Sequence, residues 1–434
     1  MTQQARRFPR HLVAALAAAA GLSVALAGCS GGGTSESSGG AEPQTLTLSY
    51  QIANSATSPY SVLAQKYMAS HPGVTITTNA INLSTYGQTL TTQLQAGNGP
   101  DVFQVQGGSG QVQGAVSLAN AGLLAPLTGT NIPATIPDGS AAQFSVDGKQ
   151  YAMPVELLPT GIIYNDAAAK GVGITLTATS TLEDVYAACA TASAAGKSLF
   201  ALAGSQSPNT GILAQLIAQS QVYEATPDWN QQRADGKVTF ANTPGWKSTL
   251  QTVVDMNTKG CFQPGAAGAG FDALTNGVGS TSATSFGLFA PLGGASDIMS
   301  AVPGLTLVGL PVPAPAGTTT KLINGADDSL AINAKTKSPN LAQDFLNWMA
   351  EPEQAAQFAS VAGEIPIVGG PGQLSPVFAP ITQMITDKQY GPFPAQSWPN
   401  GQVYDALGTG VTGLITGQAT IDQVLQSMDD AWGA

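Results

Sequence analysis

The sequence predicts an α/β fold, a parallel sheet with helices on its faces, and three observations carry that expectation. Strand-like and helix-like patterns alternate from residue 45 onward, in the order β-α-β-α-β. Helix starts and stops are marked by residues whose backbone chemistry suits those positions. The composition, 43% hydrophobic with 9% charged residues and 51 glycines, is that of a globular chain with ample core material. A length of 434 residues allows two to three domains.

"TLTLSY" alternates apolar and polar residues as a half-buried strand does. Ser58-Pro59 opens a helix with a cap residue followed by proline at the first helical position, and "SHPGV" ends it. "VTITTNAI" is the second strand. The polar helical stretch "YGQTLTTQLQAG", headed by Tyr86, leads through the turn "GNGPD" to the third strand, "VFQVQ". In "DGKQYAMPVELLPTGIIYND" a tight turn at Asp147-Gly148 precedes two apolar runs, with Pro154 and Pro159 bracketing Glu156. From Thr181 to Ala195 the period is helical, Thr181 and Asp184 forming a capping-box pair, and Leu182, Val185, Tyr186 and Cys189 sharing a face. "GLTLVGLPVPAPAG" reads as a strand running into a Pro-rich connector. "SPNLAQDFLNWMAEPEQAAQFA" reads as two helices, with Ser338 capping, Pro339 at the first position and Pro352 starting the second. In "TIDQVLQSMDDAW" the residues Ile421, Val424, Leu425, Met428 and Trp432 form one apolar stripe.

Residues 1–28 read as an export leader: a basic start, "MTQQARRFPRH", then the apolar "LVAALAAAAGLSVALA". Leu26-Ala27-Gly28-Cys29 matches a lipobox, which makes Cys29 the lipidated residue and 1–28 a lipoprotein signal peptide. The other reading is an uncleaved anchor helix with a chance cysteine. Residues 29–43, rich in glycine and serine, read as a flexible tether. The expected product is extracytoplasmic, lipid-anchored to the outer face of the cell membrane and touching it through the lipid alone. Of three cysteines, Cys189 and Cys261 then remain as an even pair in an oxidising compartment. A disulfide between them would contribute about 4 kcal/mol by the loop-entropy relation. Two separate buried thiols are the alternative.

A formal net charge of -11 argues against nucleic-acid binding. Beyond the leader a single histidine, His71, remains, so histidine-rich zinc sites and histidine-based triads have little material. There is no C-x-x-C, G-x-S-x-G or P-loop motif, and no cofactor or metal is expected. Paired-carboxylate glycoside hydrolysis needs only two acids and stays open on composition, although no second acid stands near Glu156 in the sequence. What the chain offers instead is aromatic and amide residues at strand ends and in loops. Tyr50 and Gln51 end the first strand, Gln104 and Gln106 lie on the third, Phe289 sits in "SFGLFAPLGG", and Trp398 in "SWPN" has Tyr404 nearby. Aromatic faces stack on sugar C–H faces while amides and carboxylates take the hydroxyls, a mixture suited to a neutral polyhydroxy ligand.

The ordered set "GNGPDVFQVQ", "AGLLAPLTG", "DGKQYAMPVELLPTGIIYND", "VGLPVPAPAG", "GADDSLAINAKTKSPNLAQDFLNWM" and "GEIPIV", after the lipobox, resembles the extracellular solute-binding proteins of family 1. These are the maltose-binding-protein-like sugar receptors of ABC importers. The resemblance implies a two-lobed, periplasmic-binding-protein-like (type II) fold whose discontinuous lobes are joined by a three-strand hinge. Lobe 1 would comprise 44–157 and 317–364, and lobe 2 would comprise 158–316 and 365–434. The crossings would fall near Val155 to Leu158, at "PVPAPAG", and near Gly363 to Ile365. A monomer would capture a mono- or oligosaccharide between the lobes and deliver it to permease subunits. The expected ligand residues are Tyr50, Gln51, Tyr86, Gln104, Gln106, Glu156, Phe289, Asp327, Trp398 and Tyr404. Phe289 stands where the family carries a stacking tryptophan, and either Trp398 or Tyr404 matches a second stacking position. Alanine at Trp398 or Phe289 is expected to weaken binding and leave the fold intact. Asp101, in the "PDV" motif, is expected to be structural. Glu156 is either a hydrogen-bond acceptor at the cleft floor or a solvated hinge residue. A lipid-anchored glycoside hydrolase or lyase and a ligand sensor for a membrane receptor are the alternative functions.

Overall fold

The computed structural model describes residues 44–52, 57–137, 140–326, 328–369 and 374–433. The leader, Cys29, the tether and Asp327 lie outside them. The strands in chain order begin with β1 (Thr45–Ile52), β2 (Thr75–Asn82), β3 (Val102–Gln106) and β4 (Leu124–Ala125). A hairpin, β5 (Ser145–Val146) and β6 (Lys149–Gln150), precedes β7 (Met153–Pro154), β8 (Glu156–Leu157) and β9 (Thr160–Tyr164). Then come β10 (Ser198–Ala201), β11 (Ser285–Pro291), β12 (Val308–Leu310), β13 (Leu322–Ile323) and β14 (Asp328–Asn333). The last two are β15 (Ile365–Pro366) and β16 (Tyr390–Gly391).

Two mixed sheets result, each the floor of one lobe. The first has the order β2-β1-β3-β14-β4, with β7 also on β14. Its β1 runs parallel to β2 and β3, while β14 is antiparallel to β3 and β4. Helices cover both faces, as a central parallel strand buried like β3 requires, while β2 at the edge is largely exposed. On one face Leu63 and Tyr67 of the helix Pro59–Ser70, with Phe345 of Pro339–Met349, pack on Leu46 and Leu48. On the other, Tyr86, Leu90 and Leu94 of the helix Leu83–Ala96 pack on Phe103 and Val105. The helix limits follow the local signals. Proline occupies the first turn of Pro59–Ser70, and Gly97 ends Leu83–Ala96 in the left-handed conformation, at φ 77°.

The second sheet has the order β10-β11-β9-β13-β16, with β12 also on β9. One of its faces packs on a core that includes Leu213, Trp246 and Leu425, the other on Leu288, Ile298 and Phe378. The capping box at Thr181 forms as the sequence predicts, each partner bonding the other's backbone N–H. Within that helix Cys189 is buried and forms a disulfide with Cys261, 72 residues on. Tyr186, placed by periodicity on the same face, is half-buried instead, and Lys259 lies over its ring at 4.9 Å.

Three segments join the lobes. The first is 155–159, between β7 of one sheet and β9 of the other. The third runs through β15, which pairs antiparallel with β8. The second corrects an expectation. It lies between Ile323 and Asp328, not at the Pro-rich "PVPAPAG", because Val312 packs in the second lobe's core and the buried Ala314 accepts at its carbonyl from Leu182 N–H (2.8 Å). Leu322–Ile323 then adds a strand to that lobe's sheet before the chain leaves it.

Candidate functional site

The first and second crossings share one antiparallel register at the described positions. Ile323 stands opposite Thr160, and Ser329 stands opposite Pro154. Between them Leu158 N–H donates to Gly325 O (3.0 Å) and Val155 N–H to Asp328 O (3.2 Å). On the other side of the crossing strand, Leu157 faces Ile365 and Glu156 faces Pro366. The first crossing is thus flanked by the second, whose register leads into both sheets, and by β15, which pairs with β8 alone. Pro154 and Pro159 lack the N–H that would need a partner there and restrict the backbone around the crossing.

This ribbon brings two acids together. Glu156 is 3% exposed, and its carboxylate acts on that of Glu364, which is 8% exposed. Glu364 Oε1 accepts from Gly293 N–H (2.8 Å), at the start of the helix Gly294–Ala301; its Oε2 is buried with no hydrogen-bond partner. Burial first, then the negative charges of Glu156 and Asp328, hold the Glu364 carboxyl well above the usual carboxylate range, and the Gly293 N–H opposes them. Of the two readings of Glu156, a solvated hinge residue does not fit its burial. The sequence does not single out Glu364, although "GEIPIV" reads as a crossing; a partner 208 positions away leaves no local signal. Nor does it single out Asn324, buried on the second crossing. Its N–H donates to Gly391 O (2.9 Å), but neither amide atom of its side chain has a partner. Buried amides left so are uncommon.

The residues expected from lobe 1 cluster at the carboxyl ends of β1 and β3, where ligands bind in open α/β sheets. Gln51 and Gln106 are half-buried. Gln51 N–H donates to Gln104 Oε1 (2.9 Å), and Gln106 Oε1 accepts from Gln113 Nε2 (3.1 Å). Gln104 is itself buried. Tyr86 is fully buried and its hydroxyl donates to Gln104 O (2.7 Å), so it braces β3. Tyr50 is buried and stacks on Tyr60 at 5.2 Å.

The three aromatics expected from lobe 2 occupy its core. Phe289 is fully buried against Phe200, ring centres 4.8 Å apart. Trp398 is fully buried between Phe240 and Trp246, and its Nε1–H donates to Asn230 Oδ1 (3.2 Å). Tyr404 is 7% exposed with its hydroxyl on Pro208 O (2.8 Å). Asp327 lies outside the described residues. Asp101 has the structural role expected of it: Oδ2 accepts from Thr47 N–H and Oγ1 (2.8 and 2.7 Å), and Oδ1 from Thr336 Oγ1 (2.7 Å).

Two surface depressions, of about 490 Å³ beside Lys247 and Asp422 and about 240 Å³ beside Asp101 and Lys335, include no hinge residue. Among the described residues no group of three His, Cys, Asp or Glu side chains converges as a metal site requires, and no helix is long and apolar enough to cross a membrane.

The sequence profile of the bacterial extracellular solute-binding proteins matches residues 53–356. No curated protein matches the chain in sequence. Among solved structures, the chain is similar to a chitin oligosaccharide binding protein at 20% identity and a TM-score of 0.72, over 89% of this chain and 98% of that one. It is similar to the solute-binding protein RafE in complex with raffinose at 18% identity and a TM-score of 0.71, over 89% and 98%. A sugar transporter from Bacillus licheniformis in complex with stachyose aligns at 17% identity and a TM-score of 0.70, over 89% and 98%. These likenesses establish the two-lobed fold.

Proposed function

Because the chain belongs to the family of bacterial extracellular solute-binding proteins, we propose that it is the receptor of an ABC importer. It is a lipoprotein anchored at Cys29 that captures a carbohydrate between its lobes and delivers it to a permease pair. The observation that carries this reading is the set of three crossings lying side by side between the sheets, with Glu156 and Glu364 buried among them. A bound ligand shifts an open–closed equilibrium only through contacts that are better in one state, so it must touch both lobes or the hinge between them. In this proposal Gln51 and Gln106 supply amide hydrogen bonds from lobe 1. Glu156 and Glu364 supply hinge contacts, the protonated carboxyl donating and its partner accepting. Tyr50, Tyr86 and Gln104 hold the strand ends in place, and Phe289, Trp398 and Tyr404 shape the facing lobe from within its core. The similar structures with raffinose and stachyose support a carbohydrate as the ligand class.

A thermal-shift screen over mono- and oligosaccharides, polyols, amino acids and peptides tests the proposal. A true ligand at about 100 times its Kd should stabilise the chain by about 2.7 kcal/mol. Silence from every carbohydrate, with a response to another class, would overturn the sugar reading. A second reading is glycoside hydrolysis, which needs two carboxyls flanking a scissile bond, and Glu156 and Glu364 are the buried acid pair that would have to serve. A release assay on labelled polysaccharides separates the two, because a receptor turns nothing over.

A further inference from the structure

The lobes meet at a second contact outside the hinge strands, and it is built from backbone. The turn after β3 belongs to lobe 1, anchored there by Gly108 N–H to Gln143 O (2.7 Å) and Val116 N–H to Gly108 O (2.9 Å). Opposite lies the short helical turn Pro394–Ser397 of lobe 2, held by Ala395 N–H to Gln215 Oε1 (2.9 Å) and by the buried Trp398 that follows it. Ser109 N–H donates to Gln396 O (3.0 Å) and Ser109 Oγ to Trp398 O (2.6 Å). Gln396 Nε2 donates to Ala326 O on the second crossing (3.0 Å).

The approach is so close that only glycine permits it. A Cβ on Gly110 would stand 1.7 Å from Ala395 O, and one on Gly108 would stand 1.8 Å from Gln396 O. Both obstacles are backbone atoms, which cannot swing aside as a flexible side-chain end does. Gly108 also has φ +77°, which favours glycine on its own account. At Gly110 no such torsion applies, and the facing carbonyl alone excludes a side chain.

We infer that the turn Gly107–Gly110 is an interlobe latch, which holds the lobes together through contacts that the chain makes with itself. Every bond in it is between protein groups, so it favours this arrangement of the lobes whatever the ligand is. The open–closed equilibrium on which a ligand acts is already biased toward it.

The test is Gly110→Ala in the full chain, read by hydrogen-exchange mass spectrometry without added ligand. Gly268→Ala serves as control, since a Cβ there meets nothing within 4 Å. The latch predicts faster exchange in peptides covering 107–114 and 394–400 together, with β1 and β10 unchanged and the control variant like wild type. No acceleration, or acceleration on the 107–114 side alone, would overturn it. Should Gly110→Ala fail to fold, Ser109→Ala deletes the bond to Trp398 O without adding bulk. It should accelerate the same two peptides, and exchange unchanged in either would count against the latch.

Discussion

Replacing Glu364 by glutamine should change how stability depends on pH. The substitution keeps the oxygen that accepts from Gly293 N–H and removes a charge that burial and Glu156 both disfavour. In the native chain the carboxyl holds its proton well above the usual range, whereas the unfolded chain releases it near the ordinary Glu value, about 4.3. Above that pH the native state therefore binds one more proton than the unfolded state. Wild-type stability then falls as pH rises, by at most about 1.4 kcal/mol per unit, until the folded group itself ionises. The contribution is fully present below about pH 4.3 and is lost through the range above it. Urea unfolding of wild type and Glu364→Gln at half-unit steps from pH 4 to 8 reads this directly. The stability difference in the variant's favour should grow from the acid end toward neutrality. Parallel curves across the whole window would mean that Glu364 ionises at its ordinary value, and the argument from the buried pair would fail.

Two further outcomes concern the second lobe. Alanine at both Cys189 and Cys261 releases a loop spanning 72 residues, and should cost about 4.4 kcal/mol by the loop-entropy relation; an unchanged urea midpoint would show that the bridge constrains little. Trp398→Ala empties a fully buried site among Phe240, Trp246 and Asn230, and should cost about 3–5 kcal/mol in unfolding experiments. An unchanged melting temperature with lost ligand affinity would instead place Trp398 on the ligand surface, as its loop setting suggests.

What was readable in the sequence depended on near neighbours. Pro59, the Thr181–Asp184 box and the Asp147-Gly148 turn act over two to four residues, so their effects appear where the letters stand. The Cys189–Cys261 bridge was legible for another reason, the parity of cysteines in an exported chain. The second crossing was not, because Leu322–Ile323 is too short to show a period and the proline run before it looks like a linker while packing as core. Trp398 looks exposed from its Ser, Pro and Asn neighbours, yet the short turn before it directs the ring inward. Within the candidate site Glu156 could be found from its own segment. Glu364 and Asn324 could not, since what makes them notable is burial beside strands far away in the chain.

The place of β14 in the first sheet has a consequence for how the chain is made. It lies between β3 and β4, and its Asp328 pairs with Gln106. A ribosome adding roughly 5–20 residues per second needs roughly 10–45 seconds to go from one to the other. Until then β3 has an unsatisfied edge, of the kind that invites pairing with other chains. An incomplete first sheet that lasts this long should make yield in a foreign host sensitive to chaperone supply, and co-expression of chaperones should raise the soluble fraction without changing the urea midpoint.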